Sequence, residues 1–148
     1  MKSLLFVCLG NICRSPLAEG IAKKIILEKK LNITVDSAGT GDWHIGDSPC
    51  HNSIKVAALH GVDISSQQSR QVTLKDFQDY ELIIGLDDSN MTNLNKLGAK
   101  DALKLGSFGY KNEDVPDPYF FDGFEGFEKV YEMIESCVTQ LLEEKLHD

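Results

Sequence analysis

The chain has 148 residues, 42% of them hydrophobic, and carries 15 Lys and Arg against 23 Asp and Glu, a net charge of −8. That length fits one domain, residues 1–148, with enough apolar residues for an adequate core. The acidic balance argues against a nucleic-acid partner, which needs a basic footprint, and no apolar run reaches the roughly 18 residues of a membrane span.

Residues 3–8 are a short apolar run and read as a buried central strand. Lys2 before that run suggests a signal peptide, but the run is too short and lacks a small-residue cleavage site, so a cytoplasmic location is expected. The run ends in Cys8, Leu9, Gly10, Asn11, Ile12, Cys13, Arg14 and Ser15. Pro16 then stands at the first helical position, where its missing N–H costs nothing. Leu17, Ala18, Ile21, Ala22, Ile25 and Ile26 follow at helical spacing, with Glu19, Lys23, Lys24 and Glu28 on the other face. A strand, a tight loop and a helix N-terminus aim backbone N–H groups at one point and bind anions there. Cys8 and Arg14 sit at the two ends of that loop. A phosphate held between them meets N–H groups and a bidentate guanidinium, with the sulfur beneath phosphorus. The same positive field favours the thiolate. A lone Cys-x5-Arg match more often marks a buried structural cysteine, but the strand before it and the helix after it supply the context of a nucleophile site. A nucleotide-binding turn fits poorly, because only Gly10 of the glycine pattern is present and no Gly-Lys-Ser/Thr follows. Ser15 can cap the helix, hydrogen-bond the Cys8 sulfur, or do both.

The loop, Cys-Leu-Gly-Asn-Ile-Cys-Arg-Ser-Pro, resembles the signature of the low-molecular-weight protein tyrosine phosphatases. Other Cys-x5-Arg phosphatase families typically place a His before the nucleophile; here that position is Val7. The four cysteines, Cys8, Cys13, Cys50 and Cys137, form no Cys-x2-Cys pair, so no structural zinc is expected. Scattered in a cytoplasmic chain, they are expected to be reduced. A reversible Cys8–Cys13 disulfide would shield a reactive thiolate from deeper oxidation, and the resemblance points the same way; a packing role for Cys13 stands beside it.

Residues 33–38 read as a second strand, which makes a right-handed βαβ unit with a parallel pair. Ser37, Ala38, Gly39, Thr40, Gly41, Asp42 and Trp43 end it in a Gly-rich loop. Sites in parallel α/β sheets form beyond the carboxyl ends of strands, which puts Trp43 beside the Cys8 loop. There its indole suits a flat aromatic ester, although composition alone reads a lone Trp as core. The resemblance makes residues 36–46 the family's variable specificity loop.

Residues 53–59 continue as a helix with Ile54, Ala57 and Ala58 on one face and Gly61 as its C-cap. His60, by itself a surface or capping residue, matches the family His that orders the loop Asn, here Asn11. His44, His51 and His147 read as solvated. Residues 74–79 form a short helix capped by Thr73. Residues 82–86 are the next buried strand, and Asp87, Asp88, Ser89 and Asn90 then cap a helix carrying Met91, Leu94 and Leu97. Leu86-Asp87 stands where the family usually has Met-Asp. By resemblance Asp87, like Ser37 and His60, supports the phosphate loop from behind; a plain N-cap is the alternative. Residues 102–105 are a short last strand. Residues 106–122 form a long loop whose prolines and aromatics mark it as functional. A helix runs from Phe124 to about Leu146, with Phe127, Val130, Tyr131, Ile134, Val138, Leu141 and Leu142 inward.

Cleaving a phosphate monoester requires a proton for the departing oxygen. Asp117, between Pro116 and Pro118, is held on both sides by restricted backbone, the positioning that acid catalysis needs. Alone it reads as a turn residue; Asp117-Pro118-Tyr119 resembles the family's second signature. The family often has a second Tyr next, and Phe120 removes that phosphoacceptor here.

The resemblance covers nearly the whole chain. It implies a three-layer α/β fold with a central four-stranded parallel sheet flanked by helices. It implies phosphotyrosine hydrolysis through a phosphocysteine, with Cys8 attacking, Arg14 and loop N–H groups stabilising the transition state, and Asp117 as acid and then base. Leu9, Gly10, Asn11, Ile12, Cys13, Ser15, Trp43 and Tyr119 are expected to contact phosphate or substrate. No cofactor or metal is expected. A phosphotyrosine-containing protein is the expected substrate, inorganic phosphate and vanadate the expected inhibitors, and a monomer the expected state. An arsenate reductase on the same scaffold would need two further, closely spaced cysteines near the middle of the chain, and residues 81–97 have none. A non-catalytic phosphate-binding module would not need a nucleophile and an acid together.

Overall fold

In the computed structural model, which describes residues 1–121 and 123–145, strand β1 (Ser3–Cys8) is buried on both faces. Leu4 and Phe6 face a core built with the main helices, among them Leu17, Ile21, Tyr131 and Ile134. Leu5 and Val7 point the other way, toward Ala38, Val72, Ile83, Leu94 and Ala99. This period of two, apolar on both sides, is what a central strand covered by helices on each face requires. Helix α1 (Arg14–Glu28), β2 (Thr34–Gly39), α2 (His51–Leu59), α3 (Asp76–Asp79), β3 (Leu82–Gly85), α4 (Asp88–Leu97), β4 (Leu103–Lys104) and α5 (Glu125–Lys145) follow in that order.

All pairings are parallel and the strand order is β2-β1-β3-β4. The chain leaves β1 to one side for β2 and returns to the other side for β3. The carboxyl end of β1 is therefore the switch point, where ligands bind in open α/β sheets. Cys8 is the last residue of β1 and pairs with Gly39. A Cβ at Gly39 would meet the Leu9 carbonyl oxygen at 2.7 Å, so glycine is what lets β2 end against the loop.

Several boundaries differ from the sequence reading. Helix α1 starts at Arg14 with Cys13 as N-cap and no capping side chain, so Ser15 does not cap it. Pro16 lies inside the first turn, where N–H groups still lack helical partners. Helix α2 begins at His51. Residues 74 and 75 make a turn ahead of α3, and Thr73 Oγ accepts from Asp76 N at 3.4 Å. The last strand shortens to two residues because Leu105–Ser107 winds into a 3-10 turn. The inward residues of α5 are buried as its spacing requires. His147, Asp122 and the helix end at Leu146 lie outside the described residues. Among those described, no helix is long and apolar enough to cross a membrane.

Candidate active site

The carbonyl oxygens of the loop after β1 are tied to its surroundings. Cys8 O accepts from Thr40 N and Leu9 O from Gly41 N, both at 2.9 Å. Gly10 O accepts from Ser69 Oγ at 2.9 Å, Ile12 O from Cys50 N at 2.7 Å and Cys13 O from Ser53 Oγ at 3.1 Å. Every peptide bond described is trans, so an N–H points opposite to the carbonyl it shares a plane with. Turning these carbonyls outward turns the N–H groups of Leu9, Gly10, Asn11, Cys13 and Arg14 inward, over the start of the loop. Asn11 N donates to Cys8 Sγ at 3.3 Å. This is an anion nest with a sulfur at its floor.

Asn11 carries the strain of the turn, with φ of 56°, a conformation Asn tolerates better than most residues. Its buried amide is fully used. Nδ2 donates to Ser15 Oγ at 2.8 Å and to Ser37 Oγ at 2.9 Å, and Oδ1 accepts from Arg70 N at 3.1 Å. Ser15 Oγ lies 3.0 Å from Cys8 Sγ. Since Ser15 already accepts from Asn11, its own proton is free to point at the sulfur. Ser37 Oγ donates in turn to Glu19 Oε1 at 2.6 Å. Asn11 and Ser15 thus sit behind the loop and do not line its cleft.

His60 is not part of this network, contrary to the resemblance. Its Nε2 lies 3.0 Å from Glu128 and its ring stacks on Tyr131 at 4.1 Å. It joins α2 to α5, and the amide it was expected to orient is already satisfied by Ser15, Ser37 and the Arg70 backbone.

Arg70 escaped the sequence reading. Its guanidinium reaches Asp36 at 3.0 Å and straddles Asp76 at 3.0 and 3.1 Å, which fixes the backbone that holds Asn11. Burial alone would lower the Arg70 pKa, but Asp76 and Asp36 push it up. Burial likewise pushes Asp76 up, yet Arg70 and the Thr73 N–H hold it below the usual carboxylate range. No local signal in the sequence marks this brace.

Arg14 enters the cleft from the start of α1. Its Nη1 donates to Asp87 Oδ2 at 2.7 Å and to Val115 O at 2.9 Å. Both bonds use one nitrogen, which leaves the remaining donors of the fork for a ligand. The other Asp87 oxygen accepts from Asn90 N at 2.7 Å and caps α4, so the two roles weighed for Asp87 coexist.

Asp117 lines the same cleft as Cys8 and Arg14, together with Leu9, Gly10, Ile12, Cys13, Trp43, His44 and Tyr119. Its carboxylate accepts from Tyr119 N at 2.9 Å and caps the 3-10 turn Pro118–Phe120. The loop that carries it is anchored by buried Lys104, whose ammonium binds Asn112 O at 2.6 Å, Asp88 at 2.9 Å and Asp114 at 2.6 Å. Burial alone would lower the Lys104 pKa; Asp114 and Asp88 push it up instead. Trp43 and Tyr119 are 68% and 63% exposed, which makes them cleft walls and excludes a core role for Trp43. His44, expected to be solvated, also lines the cleft and lies 3.1 Å from Asp47.

The cysteine chemistry is not the one expected. Cys13 is disulfide-bonded to Cys50, with Cα atoms 5.2 Å apart, while Cys8 and Cys137 are free. This corrects both the Cys8–Cys13 pairing and the expectation of four reduced thiols. The Cys50 N–H bond to Ile12 O brings the start of α2 against the loop beside Cys13, while the Cys8 sulfur contacts Ser15 Oγ and Asn11 N. Among the described residues no group of three or more His, Cys, Asp or Glu could hold a metal.

A sequence profile described as "Low molecular weight phosphotyrosine protein phosphatase" matches residues 3–148. The chain is similar to a low molecular weight phosphotyrosine protein phosphatase of Sus scrofa, 37% identical over 152 residues that cover 96% of this chain and 94% of the other. It is similar to a low molecular weight protein-tyrosine-phosphatase of Bacillus subtilis, 38% identical over 150 residues, with 96% and 94% covered. Its fold is similar to a solved protein tyrosine phosphatase of Entamoeba histolytica, with a TM-score of 0.92, 34% identity, and 99% and 98% of the two chains covered.

Proposed function

The chain belongs to the low molecular weight phosphotyrosine protein phosphatases, hydrolases that act on phosphotyrosine, and we propose that its reaction runs through a phosphocysteine on Cys8. The Cys8 thiolate attacks phosphorus in line, and the bond to the tyrosyl oxygen breaks. Asp117, as carboxylic acid, gives that oxygen its proton. Arg14 and the inward N–H groups hold the three equatorial oxygens. The resulting Asp117 carboxylate then takes a proton from water, which attacks the phosphocysteine and releases inorganic phosphate and the Cys8 thiolate. Ser15, donating to the sulfur, stabilises it as nucleophile and as leaving group. One observation carries this reading: Cys8 and Arg14, at the two ends of one loop, and Asp117, from a segment far along the chain, line one cleft.

The same reading takes residues 1–148 as one phosphatase domain, a cytoplasmic monomer acting on phosphotyrosine-containing proteins. Inorganic phosphate and vanadate are inhibitors because they occupy the N–H nest. In a reducing compartment the Cys13–Cys50 bond would open, leaving Cys8 chemistry untouched. The test is hydrolysis of p-nitrophenyl phosphate and of a phosphotyrosyl peptide, with and without vanadate, by the wild type and by Cys8→Ser. The expected result is vanadate-sensitive turnover that vanishes in Cys8→Ser while phosphate still binds. Turnover by Cys8→Ser at the wild-type rate would overturn the reading.

A further inference from the structure

A second groove runs alongside the catalytic cleft, and the two share Leu9 and Trp43 as a common ridge. Beyond that ridge the groove is lined by Thr40, Asn93, Lys96 and Leu97. Leu9 is 44% and Leu97 42% exposed, so the groove has an apolar rim with polar groups between. The one charged group among them lacks a partner. Lys96 has no ion-pair or hydrogen-bond partner among the described residues, in a chain that carries a net charge of −8. No carboxylate lines the groove.

We propose that this groove seats the residue flanking the phosphotyrosine in the protein substrate, and that Lys96 selects an acidic side chain there. The proposal rests on the phosphatase reading above and extends it to substrate choice. With the tyrosyl ring held between Trp43 and Tyr119, the peptide backbone crosses the Leu9–Trp43 ridge, and the neighbouring side chain drops beyond it. An aspartate or glutamate in that place meets the Lys96 ammonium. A small aryl ester such as p-nitrophenyl phosphate ends at the ridge and never enters the groove.

The test compares kcat/KM for phosphotyrosyl peptides carrying Asp or Lys at each neighbouring position, using the wild type and Lys96→Glu, with p-nitrophenyl phosphate as the control. The wild type is expected to favour Asp over Lys at one position, and Lys96→Glu to reduce or reverse that preference by roughly 3- to 10-fold, as for an exposed ion pair turned into a repulsive one. Activity of Lys96→Glu on p-nitrophenyl phosphate should stay at the wild-type level. An Asp-to-Lys ratio that is the same in both proteins at every position overturns the proposal. The two failures separate: an unchanged ratio with intact p-nitrophenyl phosphate turnover removes the groove alone, whereas no turnover of either ester removes the phosphatase reading beneath it.

Discussion

Asp87 holds Arg14 with one carboxylate oxygen, at 2.7 Å, and the first turn of α4 with the other, also at 2.7 Å. Asp87→Ala should therefore lose a cap, about 1 kcal/mol of stability, and also release the Arg14 fork. Asp87→Asn keeps one acceptor oxygen for the cap and turns an NH2 group, which cannot accept, toward Arg14. Both variants should lower kcat/KM for p-nitrophenyl phosphate about 10- to 100-fold, as a slightly misplaced catalytic group does. Only the alanine variant should melt earlier. Wild-type kinetics in Asp87→Asn would show that Val115 O alone positions Arg14.

Asn11 ties the loop to α1, β2 and the Arg70 segment through one amide. Asn11→Ala removes those bonds and places a residue that disfavours positive φ at 56°. A loss of roughly 2–4 kcal/mol in urea unfolding is expected. Ser37→Ala should cost less, roughly 1–3 kcal/mol, and leave Glu19 without its 2.6 Å donor. Equal stability of Asn11→Ala and wild type would contradict the bracing role.

Acid should weaken the Arg70 brace in a defined window. Asp76 lies below its ordinary value of 3.8 in the folded chain, so its contribution is complete above that pH. It is lost as pH falls through the lower folded value. The stability gap between wild type and Asp76→Asn should be roughly 1.5–3 kcal/mol near neutrality and close progressively below about pH 4. Urea midpoints measured across that range give the answer; a gap that stays constant into strong acid would place the Asp76 stabilisation outside its charge.

The cysteines should label unequally. Burial pushes the Cys137 thiol up to about 11, and Cys13 is joined to Cys50. Iodoacetamide at neutral pH without reductant should therefore modify Cys8 alone, and non-reducing peptide maps should contain the Cys13–Cys50 pair. A Cys8–Cys13 peptide in that map would contradict the pairing.

The strand–loop–helix start of the chain was readable because its signals are local. An apolar run of period two, a Cys-x5-Arg loop and a proline sit within one short stretch. Asp117 was readable because two prolines frame it. What stayed hidden depends on contacts between distant segments. Cys13 and Cys50 are 37 residues apart, and nothing in either neighbourhood announces the other. Arg70 and Lys104 look like ordinary surface cations until the fold gathers two carboxylates around each. The family resemblance assigned His60 to Asn11, whereas the chain satisfies that amide with Ser15, Ser37 and the Arg70 N–H. The last strand was overextended because Gly106 packs against Glu113, where a Cβ would collide with the carbonyl, and the backbone turns there.

The most direct measurement is to trap the covalent enzyme. Asp117→Asn, mixed with p-nitrophenyl phosphate and quenched in acid, keeps a good leaving group for the first step and lacks the base for the second. The expected result is one phosphoryl group per chain, located on the Cys8 peptide by mass spectrometry. Phosphate on any other residue, or steady turnover with Cys8 unmodified, would contradict the mechanism.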